Sequence, residues 1–183
     1  MKSLYATVAL ILCLSSVAWA EKAPQKIYDL AASKLAAYGL AAEIVAAVKA
    51  ANATGQSLAQ IKSRDEIWKA TAGLDDFMKA IQGNPCSSYL RTLTSEQDYY
   101  AEIFVMDNQG ANVCMTNKTS DYWQGDEAKF QNTFKGEMGE VFIDDVEFDS
   151  SAQAYLSQVS VPVVEGGHKI GAITFGIDID KVQ

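Results

Sequence analysis

Histidine is almost absent from this chain: the single copy, His168, sits in the glycine turn EGGHK. A Ser-His-Asp or Cys-His arrangement needs an imidazole held beside a nucleophile, and a turn histidine with no local partner supplies none. Cysteine is nearly as scarce. Of three, Cys13 falls in the apolar N-terminal stretch, which leaves Cys86 and Cys114. In an oxidising compartment an even pair favours a disulfide, with two buried thiols as the rival reading; the pair is not Cys-x-x-Cys, so a redox role has little support. There is no HExxH, no EF-hand order and no phosphate-cradling glycine loop, since GEMGE and EGGHKIG read as turns. Asp144, Asp145, Glu147 and Asp149 cluster, but without a loop glycine they read as a solvated acidic edge. No enzymatic activity, cofactor or metal is expected, for want of a nucleophile–base pair or a ligand set.

Basic residues are also in deficit. Lysine and arginine number 15 against 23 acids, a net charge of -8. That balance argues against nucleic acid and against anionic membrane surfaces as partners. Long apolar runs are missing after the first twenty residues. There, Lys2 precedes an apolar stretch from Leu4 to Val17, and Ala18-Trp19-Ala20 is an A-x-A cleavage site. Residues 1–20 read as a secretory signal peptide, and Leu12 before Cys13 does not fit a lipoprotein signal. The expectation is one exported, periplasmic domain over 21–183. The sequons at Asn52 and Asn117 matter only in a eukaryotic secretory pathway.

What is present divides into two patterns. From Lys26 to about Asn52, Ile27, Leu30, Leu35, Tyr38, Ala42, Val45 and Val48 recur at helical spacing in an alanine-rich stretch, predicting one long helix. Ser57 can cap a second, with Leu58, Ile61, Trp68 and Ala72 on a stripe. Asp65 falls on that stripe, either as a paired core-edge acid or as a site residue. A short helix follows over Leu74 to Gln82, and Pro85 can open another. From Ala101 the period becomes two: AEIFVMD, NQG and ANVCMT make a hairpin, EVFID a short strand, AQAYLSQVSVPVV a long one and KIGAITFGIDI the last. Pro162 marks an edge or a bulge. Helices followed by about five antiparallel strands give an α+β domain.

Two features point to a site. The last strand shows bulky Ile173, Phe175, Ile177 and Ile179 on one face, and Ala172, Thr174, Gly176 and Asp178 on the other. The small face either leaves room for something above the sheet or simply meets water. On the preceding strand, Tyr155 and Ser157 share a face. The second feature is the loop TSDYWQGDEAKF, which sets Tyr122 and Trp123 between acids ahead of a short helix over Glu127 to Phe134. Trp123 either walls a binding site or seals the core. Gly125 lets the chain turn, and Asp126 is expected to cap the helix, where acids are favourable.

The MDNQG hairpin, the Asp-x-Trp loop before a short helix, the closing GAITFGIDI strand and the long N-terminal helix together resemble the extracytoplasmic Cache (PDC) sensor domains of bacterial receptors, over nearly all of residues 21–183. The resemblance implies a PAS-like sheet with a small-molecule pocket above it and the tryptophan loop as lid. In amino-acid-binding members a Tyr-x(4)-Arg-x-Trp motif and a late aspartate hold the ligand. Trp123 matches the tryptophan and Asp178 the aspartate, but the arginine position falls on Asp121 and the tyrosine position on Thr116. An aspartate there repels a ligand carboxylate. A group of Asp121, Tyr122, Trp123, Tyr155 and Asp178 suits an amine or amino-acid-like cation instead, through carboxylate pairing and cation–π attraction. Because the sequence ends at Gln183 just past the last strand, the expectation is a soluble domain that reports its ligand state to a membrane receptor or signalling enzyme. The alternative is a ligand-free regulator that docks on a membrane receptor or cyclase. The alanine-rich stripe of the first helix is a candidate homodimer face.

Overall fold

The computed structural model describes residues 21–137, 140–150 and 152–183; the expected signal peptide lies outside the described residues. Five strands, β1 (Tyr100–Met106), β2 (Asn112–Met115), β3 (Phe142–Asp149), β4 (Ala154–Glu165) and β5 (His168–Asp178), form one antiparallel sheet in the order β2-β1-β5-β4-β3. Helices precede it: α1 (Gln25–Leu30), a π-helical turn (Ala31–Leu35), α2 (Ala36–Tyr38), α3 (Ala42–Ala53), α4 (Leu58–Ala70), α5 (Asp76–Gly83) and α6 (Pro85–Glu96). One short helix, α7 (Ala128–Phe134), is inserted between β2 and β3. The domain is α+β, as the change of period implies.

The caps explain the helix starts. Ser57 and Gln60 form a reciprocal capping box on α4, Asp75 accepts from Met78 N–H on α5, and Asn84 accepts from Ser87 N–H ahead of Pro85 on α6. The long first helix does not hold as one. It breaks at Gly39, and the two parts are inclined by 64°. Strand β4 causes the break: Val164 N–H donates to Gly39 O, and a Cβ at Gly39 would lie 2.1 Å from Pro162 O. Only glycine lets the helix end come that close to the sheet. Pro162 itself pairs with Ala172, next to a register shift and beyond the last β3 partner, so the missing N–H costs no bond to β3. Strand β3 runs further than EVFID, through the whole acidic cluster, which lies on the edge of the sheet. Charges there discourage edge-to-edge pairing.

The sheet's two faces differ. On one, Ile103, Val105, Val159, Val161, Ile173, Phe175 and Ile177 pack against Ile27, Leu35, Ile44, Val48 and Leu90 to form the main core. On the other, Phe104, Met106 and Ala172 pack with Ile61, Trp68, Met78, Tyr122 and Phe130. That second cluster covers only the Ala172 end of the small-residue face. The Cys86–Cys114 disulfide ties α6 to β2. Among the described residues no single helix is long and apolar enough to cross a membrane.

Candidate functional site

Beside Gly176 of the small-residue face, Glu102, Phe104 and Gln158 form the floor of a polar cleft. Alternation along β1 places Glu102 beside Phe104, and register places Gln158 of β4 opposite Gly176 of β5 and Glu102 opposite the same glycine. Gly176 gives Glu102 its room: a Cβ there would lie 2.7 Å from Glu102 Cγ. Gln158 Nε2 donates to Glu102 Oε1 at 3.2 Å. Deeper under α7, Ser160 and Thr174 share a hydroxyl–hydroxyl bond of 2.7 Å, which satisfies both in a dry position.

The walls come from three elements. Residues 118–120 and Gln124 stand on one side, Lys129 of α7 above, and Asp149 of β3 opposite, around a cavity of about 480 Å³. A second lobe of about 400 Å³ continues it along Glu127, Asp144, Asp145, Glu147 and Leu156. Lys129 Nζ donates to Gln124 Oε1 at 3.2 Å and sits 5.7 Å from the Phe104 ring centre. Lys169 of β5 clamps the far end of α7, its ammonium donating to the carbonyls of Thr133 and Gly136 at 3.1 and 2.5 Å. A cation at a helix C-terminus is favourable. Gln131 Nε2 also donates to Gly125 O, fixing α7 to the loop.

Burial pushes the Glu102 carboxyl up; Lys129 pulls it back, the Asp149 charge adds to the rise, and Gln158 opposes it. The cleft thus holds a carboxylate that lacks full compensation, in a setting where acids outnumber lysines. Chemically it can pair with a small cation, or a proton, that enters from the open side.

The loop residues singled out in the sequence, Asp121, Tyr122 and Trp123, do not line this cleft. Tyr122 is 5 % exposed, its ring against Trp68 and Phe77. Trp123 donates through Nε1 to Gln109 O at 2.8 Å and lies under Lys62 Nζ at 4.2 Å from the ring centre. Gly125 is required because Trp123 Nε1 and Gln109 O sit 2.3 and 2.6 Å from where its Cβ would be. The N-cap of α7 is Glu127, one residue past the expected Asp126, and it makes no side-chain cap bond.

Asp65 organises this loop. It is 3 % exposed, and Oδ1 accepts from the backbone N–H groups of Tyr122 and Trp123 at 2.8 and 3.0 Å. Lys69 Nζ bridges Asp65 Oδ2 and Asp121 Oδ1 at 2.7 and 3.0 Å, so its ammonium is held above the ordinary lysine range, first by Asp65 and then by Asp121. Burial opposes the charge of Asp121, but hydrogen bonds from Ser120 and Lys69 outweigh it and hold the carboxyl below its usual range. Of the two readings of Asp65, the paired core-edge acid is the one found.

Tyr155 and Asp178 stand apart from the loop. Leu156 pairs with Asp178 and Gln158 with Gly176, so Tyr155 projects to the opposite face, 53 % exposed and edge-on to Phe148. Asp178 is 6 % exposed and closes the C-terminal turn, accepting from Asp180 N–H and pairing with Lys181 at 3.0 Å. Neither lines the cleft. Glu102, Gln158 and Lys129, which do line it, belong to no motif in the sequence. The alternation that exposed the small face of β5 also marks Glu102, an acid in step with Phe104 and Met106.

No protein-family model matches the sequence, and no curated protein matches it. Among solved structures the chain is similar to the sensor domain of the V. cholerae histidine kinase DctB, at 12% identity and a TM-score of 0.45, over 86% of this chain and 55% of that one. It is similar to the ligand-binding domain of the Campylobacter jejuni chemoreceptor Tlp3 in complex with 4-methylisoleucine, at 14% identity and a TM-score of 0.45, over 85% and 64%. A third is the ligand-binding domain of the Pseudomonas fluorescens chemoreceptor CtaA in complex with L-serine, at 11% identity and a TM-score of 0.39, over 54% and 44%. The chain spans less than two thirds of the length of each. These three are sensor or ligand-binding domains of a histidine kinase and of chemoreceptors.

Proposed function

We propose that this protein is an exported sensor or binding protein that takes a small cationic molecule, an amine or an amino-acid-like compound, into the cleft above the sheet. Residues 1–20 act as the leader, and the folded domain works in the periplasm. The observation that carries the reading is Glu102: a half-buried carboxylate on the cleft floor, given space by Gly176, with one neutral side-chain donor and an acidic surround. An entering ammonium gains a charge-assisted hydrogen bond there. Asp121 and Trp123 contribute indirectly, by fixing the loop that walls the cleft. The bound state is then presented to a membrane receptor or signalling enzyme.

A thermal-shift scan of the purified protein against amines, amino acids and carboxylates tests this, because a ligand that binds only the native state raises the melting temperature. Amines are expected to raise it, and Glu102→Gln to remove the rise. A rise with carboxylates alone contradicts the charge assignment, and no rise with any compound favours the ligand-free regulator.

A further inference from the structure

A second cavity lies on the other side of the loop. It is a groove of about 600 Å³ between α3 and the corner of α5 and α6, with the β1–β2 hairpin at its end. Ala46, Ala47, Ala50 and Ala51 form one wall, at the i, i+1, i+4, i+5 spacing of a single helix face. Phe77 and Ile81 of α5 form the other. The only charged side chains in its lining are acids, Glu43 and Asp107.

Small residues alone would make this a shallow surface feature, but two buried polar groups in the lining lack complements. Asn112 is 3 % exposed, and its Oδ1 has no hydrogen-bond partner among the described residues. Its Nδ2 is committed elsewhere, to Thr119 Oγ1 at 2.7 Å and Asp121 O at 3.1 Å, so the amide cannot flip without losing both bonds. Buried side-chain acceptors without a donor are uncommon in native proteins. Asp107 is buried as well. Its Oδ1 accepts from the N–H groups of Gln109 and Ala111, and no lysine or arginine pairs with it among the described residues. Burial pushes its carboxyl up, against the pull of those backbone bonds.

We propose that this groove is a second binding site, for a small apolar molecule that ends in a primary ammonium group. The apolar part lies along the alanine methyls against Phe77 and Ile81. The ammonium supplies the donor that Asn112 Oδ1 lacks and the positive charge that Asp107 lacks. The site does not depend on the cleft reading. It is joined to the cleft wall, however, because the Asn112 amide holds Thr119 and Asp121, and Asn112 N–H donates to Tyr122 O at 3.0 Å.

Hexylamine titrated into protein carrying carbon-13 alanine methyls tests the assignment. Saturable shifts at Ala47 and Ala50 are expected. Ala50→Trp, at an exposed helical position, should weaken them at least about tenfold, and Glu102→Gln should leave them unchanged. Shifts lost in Glu102→Gln but kept in Ala50→Trp place the amine in the cleft alone and overturn the proposal. Equal binding of trimethylhexylammonium, which keeps the charge without an N–H, overturns the donor role. Methyl shifts that follow protein concentration without amine assign the groove to a second copy of the chain, and no shift at all also overturns it.

Discussion

Replacing Asp65 with alanine removes the carboxylate that anchors the Tyr122–Trp123 segment of the tryptophan loop. Asp65 Oδ1 accepts two backbone N–H groups, one of them fully buried at Tyr122. Hydrogen bonds to a charged acceptor contribute about 1.5–3 kcal/mol each, and a buried donor left without a partner costs about 1–3 kcal/mol. The Lys69 pair adds little, because the lysine is nearly half exposed and such pairs contribute about 0–1 kcal/mol. Asp65→Ala should therefore destabilise the fold by about 3–5 kcal/mol. Asp65→Asn, which keeps an acceptor at Oδ1, should cost about 1–2 kcal/mol, and Lys69→Ala less than about 1 kcal/mol. Urea unfolding followed by tryptophan fluorescence reads all three. With a slope of about 2 kcal/mol per molar, the alanine variant shifts the midpoint by about 2 M. If Lys69→Ala costs as much as Asp65→Ala, the ion pair rather than the two N–H bonds holds the loop, and the reasoning fails.

Other perturbations separate the cleft from the fold. Gly176→Ala displaces Glu102 and should lower amine affinity at least about tenfold, while changing stability by no more than about 1 kcal/mol, since a flexible side chain absorbs the clash; unchanged affinity by calorimetric titration would remove Glu102 from the site. Because burial holds the Glu102 carboxyl above the ordinary carboxylate range, ionising it costs the folded state. Its contribution to stability is full below the unfolded value and is lost as pH rises through the folded one. Glu102→Gln should therefore stabilise the protein at pH 7 relative to wild type and make no difference at pH 3, as thermal melts at the two pH values will report. Removing the disulfide with paired serines frees a loop closed across a sequence separation of 28 and should cost about 3–4 kcal/mol in the chain-entropy model; a loss below about 1 kcal/mol in urea unfolding would mean that the closure does not constrain the unfolded chain.

The architecture was readable because two periodicities dominate the chain, and the α+β order follows from where one gives way to the other. The small face of β5 was readable for the same reason, and its Gly176 gives Glu102 room on the floor of the cleft. The break at Gly39 was not, because it depends on where Pro162 and Val164 of a distant strand arrive. The site residues were hard to read because a motif drew attention to Trp123, whose indole is occupied by Gln109 O. Tyr155 and Asp178 depend on register: one residue of alternation decides which face each joins, and the pairing of Leu156 with Asp178 sends Tyr155 away. Asp65 looked ambiguous because both of its readings place a carboxylate on a buried stripe, and only the bonds to Tyr122 and Trp123 separate them.

The most direct measurement is a crystal structure of the protein bound to the amine that gives the largest thermal shift. Its ammonium is expected at about 3 Å from the Glu102 carboxylate, on the floor of the cleft beside Gly176 and under Lys129. An amine bound away from Glu102, or a ligand whose anionic end occupies that floor, would contradict this.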